Sequence, residues 1–319
     1  FQSYMRDIDI SPDGSYFAVV TTGAYASPTS PYLCDTVARW ELGATGSGLQ
    51  PTWAEYPGGD TITEVAITDT AVYAGGHYSY MNNPYIGDSI AAGAVPREAL
   101  SAHDPRSGVV LSWNPGRTRA YGVYGFLATD EGLWIGSDTD RIANFQYRGR
   151  IAFLPLAGGA QLPPDHVGTL PAQVVSLGLL QGGTGANLDR TQTRTFTGSA
   201  VTGSTVTAAG TSSWRDVRGA FMIDGQLYTG WSDATFKVQS YNGTTFGPQT
   251  TIPLQLVDGV SATLNRFATQ DLADITGMFY DPVTGRIYFT KSGSNQLHWR
   301  GFSSESRVVG AQRFSSASD

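Results

Sequence analysis

One strand–turn–strand unit recurs five times along this chain, and few folds accommodate such a repeat. It is seen first in "RDIDISPDGSYFAVVTTG", from Arg6 to Gly23: an alternating apolar run, a turn on Asp and Gly, then a β-branched run ending in small residues. The same order returns in "ITEVAITDTAVYAGGH", "GVYGFLATDEGLWIGSD", "DVRGAFMIDGQLYTGWSD" and "DITGMFYDPVTGRIYFTKSG". Hairpins follow three of these units, in "REALSAHDPRSGVVLSWNPG", "TFKVQSYNGTTFGPQTTI" and "LHWRGFSSESRVVGAQRF". Asn242-Gly243 marks the second of those turns. The units cover 4–60, 61–119, 120–180, 212–254 and 271–314. Their period of roughly 45–60 residues is that of four-stranded propeller blades. A Gly/Thr/Ser-rich stretch, 180–213, separates the third unit from the fourth and reads as a degenerate blade or a decorated connection. Helical pattern is nearly absent; "SIAAGAVPREAL" predicts one turn before Pro96.

A single four-stranded sheet cannot bury both of its faces, whereas sheets packed radially cover one another. The prediction is therefore an all-β fold, a β-propeller of four-stranded antiparallel blades forming a single domain over 1–319. About five blades are visible, either closed as an unusual ring or part of a larger one. Trp40, Trp53, Trp113, Trp134, Trp231 and Trp299 fall in or beside predicted strands, where they serve mostly to pack blade on blade. Gly75 and Gly76 end a second strand, a place where chains crowd and glycine permits close approach.

Composition narrows the function. The 39 glycines and 15% charged residues suit many turns and few solvated helices. A net charge of −7 disfavours nucleic acid, whose phosphates attract a basic stripe. No apolar run is long enough to span a bilayer, so membrane insertion is not expected. Cys34 is the one cysteine, which excludes an intrachain disulfide and a cysteine-based zinc cluster. The start at Phe1, with no signal-peptide pattern, reads as a processed or truncated product. An acidic, disulfide-free, Gly/Thr-rich chain fits an exported bacterial protein.

The segment "VYAGGHYSYMNNPY…PREALSAHDPRSGVVLSWNPG" resembles the delta-60-type, kelch- or WD-like repeat of secreted actinobacterial β-propellers, with its glycine-ended strand, its arginine before a third strand and its "WNP" turn. "RGAFMIDGQLYTGWSD", "SYNGTTFGP" and the stretch from "ITGMFYDP" to "AQRF" are similar to the C-terminal repeats of the same proteins. The resemblance implies a propeller module of a larger, secreted or surface-attached protein, with PKD-type or sugar-binding neighbouring domains and further repeats ahead. It brings no catalytic motif.

Two groups of residues invite chemistry. Asp7, Glu64, Asp216 and Asp274 stand near the starts of first strands, with Gly122 in the third unit. First strands line a propeller's channel, so these acids could ring one mouth and hold Ca²⁺. Alternatively, each carboxylate accepts backbone N–H bonds from the next blade. A glycosidase would also use two facing carboxylates. The second group is the loop with Tyr78, Tyr80, Asn82, Asn83 and Tyr85, followed by Asp88. Its rings could stack on sugars while its amides bond hydroxyls, or its tyrosines could pack the loop onto the disc. Comparable loops at 23–33 and 137–149 should gather on the same rim. "SDTDR" at 137–141 lacks full calcium-loop spacing, and "GGTGAN" at 182–187 joins no strand to a helix. His77, His103, His166 and His298 share no metal spacing, and Cys34 reads as a buried thiol. The expectation is a non-catalytic extracellular binding or adhesion module that recognises a glycan or cell-surface ligand. The alternatives are a polysaccharide-active hydrolase or lyase and a structural assembly subunit.

Overall fold

The computed structural model describes residues 3–23, 33–85, 87, 89–118, 122–155, 175–179, 190–196, 199–208, 214–242, 245–257 and 262–317. Each of the five units is an antiparallel meander with its strands in sequential order. The first blade comprises Ser3–Ile10, Tyr16–Gly23, Val37–Glu41 and Trp53–Glu55. The fourth comprises Val217–Ile223, Gln226–Trp231, Phe236–Ser240 and Thr250–Thr251. The fifth comprises Ile275–Asp281, Arg286–Lys291, His298–Gly301 and Phe314–Ser315.

Among the described residues, the second blade (Ile62–Ile67, Val72–Gly76, Leu100–His103) and the third (Val123–Thr129, Gly132–Ser137, Ile151–Pro155) show three strands where four are predicted. In the second, the outer strand shrinks to one bridge between His103 and Val110. Each instead carries a small hairpin between its second and third strands. In the second blade, Tyr80–Met81 pairs with Val95–Pro96, where one helical turn was expected before Pro96. The stretch read as a degenerate blade supplies Arg190–Phe196 and Val201–Ala208 to a three-stranded sheet with Val175–Leu179.

One irregularity marks every inner strand. A β-bulge lies between Met5 and Asp7, Ile62 and Glu64, Val123 and Gly125, Val217 and Gly219, and Ile275 and Gly277. A bulge bends a strand and sharpens its twist, so this shared defect fixes the equivalence of the five blades residue by residue.

The inner strands pack side by side, the first blade on the second, the second on the third, and the fourth on the fifth. Strand alternation sends one set of side chains toward the next blade and the other set backward. Tyr16, Ala18 and Val20 of the first blade meet Val65, Ile67, Val72 and Ala74 of the second. Tyr73 and Ala102 meet Val123 and Ile135, while Phe221 and Tyr228 meet Ile275, Ile287 and Phe289. Glycine allows the closest of these approaches. A Cβ on Gly75 would lie 2.7 Å from that of Val123, and one on Gly76 would lie 2.3 Å from the Thr61 carbonyl.

The two arcs join where turns of the fifth blade meet the outer segments of the first and second. Arg286 donates to the Thr52 carbonyl at 2.9 Å, Ser306 to Val110 at 2.8 Å, and Arg106 to Pro282 at 3.0 Å. The fold is thus an all-β propeller of antiparallel blades, arranged as an arc of three and an arc of two.

Candidate functional site

The loop after Gly76 is built into the fold. The Tyr78 side chain is wholly buried, and its hydroxyl donates to the Ala74 carbonyl at 2.6 Å and meets Ser101 at 2.8 Å. Asn82, at φ 54°, donates to the carbonyls of Gly93 and Val309 and accepts the Ala311 N–H at 2.7 Å. Asn83 donates to Pro57 and Ser89 and accepts the N–H of Ala91. A ligand arriving from solvent would therefore not meet Tyr78, Asn82 or Asn83; Tyr78 and Asn83 fasten the loop locally, and Asn82 alone of the three ties the second blade to the fifth. Tyr80 and Tyr85 remain half-buried. Tyr85 donates to Ala311 at 2.9 Å and carries the Arg266 guanidinium 3.6 Å above its ring. Asp88 lies outside the described residues.

The four acids, expected to ring a channel mouth, do not share one register position. Asp7 and Glu64 follow the bulge in their blades, whereas Asp216 and Asp274 precede the strand by one residue. The equivalents of Asp216 and Asp274 are Thr61 and Gly122, as the backbone shows. In each of these four the carbonyl accepts an N–H from the end of the second strand: His77 to Thr61, Asp138 to Gly122, Ser232 to Asp216 and Ser292 to Asp274. The expected ring of four is corrected to two separate pairs of positions, because matching the blades by their acids ignored the residue added at the bulge. Among the described residues, no three His, Cys, Asp or Glu side chains gather as a metal site.

Asp7 does what the alternative reading assigned to it. Its carboxylate accepts the Val65 N–H of the second blade and the Ile8 N–H of its own strand, both at 2.9 Å. Asp9 repeats the device with Ile67 at 2.7 Å and Ile10 at 2.9 Å. Glu64 lies beside Asp7; burial first, then the neighbouring negative charge, pushes its carboxyl up to about 7.

Other candidates are structural. His103 is fully buried between Ser101 and the Gly108 carbonyl, and burial holds its imidazole down at about 4. In "SDTDR", Asp138 pairs at 3.0 Å with the buried Arg117, which also donates to Gly76 and Ser137. Cys34 is a buried thiol. His166 and "GGTGAN" lie outside the described residues.

Clefts open to solvent among the described residues include two of note. One, of about 300 Å³, lies on the third blade's face turned away from the second, lined by Gly125, Leu127, Trp134, Gly136 and Ile151. The Trp134 indole is 41% exposed and leans on Phe153, with ring centroids 4.8 Å apart. Bare glycine backbone floors this trough beside the indole. The other cleft, about 470 Å³, is polar and lies between the inner strands of the fourth and fifth blades, where Arg218, Asp274, Thr276 and Ser292 line it. Sequence reading places most of the tryptophans, Trp134 among the six, in blade packing; Trp134 is instead 41% exposed. The alternation in "GLWIGSD" places it opposite Leu133 and Ile135, but whether that face is covered is not written there.

No family model matches the chain, and no curated protein matches it. Solved structures that resemble it include the mitotic checkpoint complex, with 10% identity over 91% of this chain and 74% of that one, at a TM-score of 0.31. A structure of U3-55K matches with 10% identity over 97% of this chain and 83% of that one, at a TM-score of 0.28. At these TM-scores neither likeness carries an argument, and the fold rests on the sheets described above.

Proposed function

We propose that the chain is a non-catalytic binding module, and that its ligand is a glycan held in the trough beside Trp134. The observation that carries this reading is the half-exposed indole standing beside a floor of two glycines. A pyranose ring presents an apolar C–H face that stacks on a flat aromatic, and glycine leaves the backbone approachable. The reading moves the ligand from the rim loop to a blade face; of the loop, Tyr80 and Tyr85 keep accessible surface. An extracellular setting follows from the same ligand class.

A glycan array probed with wild type, Trp134→Ala and Tyr80→Ala tests this. Binding lost only in Trp134→Ala supports the trough, and loss only in Tyr80→Ala returns the ligand to the rim. No binding by wild type removes the glycan reading.

A polysaccharide-active enzyme is the second reading, favoured by Glu64, an elevated carboxyl beside an acid. Against it, both Asp7 oxygens are engaged by backbone N–H groups. Polysaccharide cleavage by wild type that disappears in Glu64→Gln, with folding intact, would establish it.

A further inference from the structure

The two ends of the blade series present apolar faces that match the two halves of an interface already inside the molecule. In the fourth blade, Phe221 stacks on Tyr228 across neighbouring strands, with centroids 5.1 Å apart and planes 12° apart. The fifth blade covers that pair with Tyr280 and Phe302. At the equivalent positions the fifth blade repeats the stack, Phe279 on Tyr288 at 5.1 Å and 10°. It then extends the stack through Trp299 to Phe314, across all four strands. This ladder faces away from the fourth blade, and Phe279 and Phe314 are 51% and 42% exposed. Rings stacked from strand to strand turn their edges outward, a surface suited to interdigitating with side chains rather than to lying under a sugar.

The opposite half stands on the first blade. In the second blade, Val65 and Ile67 are the inner-strand residues buried against the blade before it. Counted from the bulge, their equivalents in the first blade are Ile8 and Ile10, which are 48% and 53% exposed. Ile10 pairs with Phe17, and Phe17 stacks on Trp40 at 5.8 Å, so this face too is apolar across three strands.

We propose that the chain associates with a second copy of itself head to tail, the aromatic ladder of one fifth blade packing on the Ile8–Ile10 face of the next copy's first blade. Each contact between consecutive blades in either arc joins a leading face to a trailing face, and this pair continues the series. The interface is heterologous, so it generates rings or open chains rather than a closed two-fold dimer.

Sedimentation velocity over a range of concentrations tests it with Phe279→Asp, which removes the leading face, and Ile10→Asp, which removes the trailing face. Both sites are half-exposed; Phe314→Asp and Ile8→Asp replace any variant whose circular dichroism departs from wild type. Wild type should gain mass with concentration, each variant alone should stay monomeric, and an equimolar mixture should form a dimer and stop there. A wild type that stays monomeric throughout overturns the proposal. So does a mixture that stays monomeric, which would mean a two-fold interface, or a variant that still assembles.

Discussion

At the scale of the residue, polar side chains in this chain serve mostly to fasten backbone. Asn82 is the sharpest case, since one amide reaches three backbone groups across two blades. Asn82→Ala should lower unfolding free energy by about 2–4 kcal/mol, from the buried partners it strands. Asn82→Gly strands the same groups but keeps the left-handed backbone at no steric cost, so it should be the milder of the two in urea melts. The type of residue was legible in sequence; its use was not, because whether an amide faces a ligand or a distant carbonyl depends on contacts 227 positions away. Glu55 makes the same point with charge. Burial pushes its carboxyl up to about 8 from an ordinary 4.5, against the pull of backbone N–H bonds from Tyr56 and Asn82. The folded state thus favours the protonated acid, and the stability it contributes is present below about pH 4.5 and lost as pH rises through about 8. Glu55→Gln should flatten that part of the stability–pH curve, read as melting temperature in matched buffers.

At the scale of the element, the repeat was open to sequence reading because turn residues and alternation are local. Five inner strands, five turns and the crowding at Gly75 and Gly76 follow from "SPDG", "TDTA", "TDEG", "IDGQ" and "DPVTG" with their flanking runs. The bulge is a different matter. It inserts one residue that no single letter marks: Arg6, Thr63, Tyr124, Arg218 and Thr276 are of three types, all frequent elsewhere in the chain. Aligning blades by their acids therefore put Asp216 beside Glu64 in a ring that the register does not contain. The reduced outer edge of the second blade is not legible for a related reason, since "REALSAHDPRSGVVLSW" has the pattern of a hairpin but forms only a single bridge on its far side. Gly76→Ala tests the packing of these elements. Its Cβ would meet backbone at Thr61 and Ile62, which cannot turn aside as a side chain can. The expected loss is about 2–4 kcal/mol, well above the ~1 kcal/mol that an unobstructed strand glycine would gain on the same change. Unfolding of Gly125→Ala, where a Cβ meets open space, gives the comparison.

At the scale of the whole molecule, a few buried titratable groups dominate its response to pH. Asp271 accepts Lys291, Arg300 and Arg313 at once, at 3.0, 2.8 and 2.7 Å, and Arg300 leads the cations that hold its carboxyl below the ordinary range against the penalty of burial. Its contribution is present above the ordinary value of 3.8 and fades as pH falls through the lower folded value. His103, depressed to about 4, opposes acid in the same sense, because the unfolded chain takes up its proton near 6.5 and the folded chain does not. Glu64 and Glu55 work the other way, losing stability as pH climbs through about 7 and about 8. Stability should therefore peak in mild acid, near pH 4.5–5, and decline toward both pH 3 and pH 8.5, as calorimetry across that range would record. Asp271→Ala should cost about 3–5 kcal/mol by leaving Arg300 buried and uncompensated. The placing of tryptophans has an optical corollary. Trp53, Trp113 and Trp231 are shielded from water, while Trp40 and Trp299 are part-covered on opposite end faces. Emission from the shielded indoles should stay blue and constant, and Trp134, 41% exposed on the third blade, stands away from both ends, so a shift in the native spectrum with dilution reports on the ends of the blade series, with no dye attached.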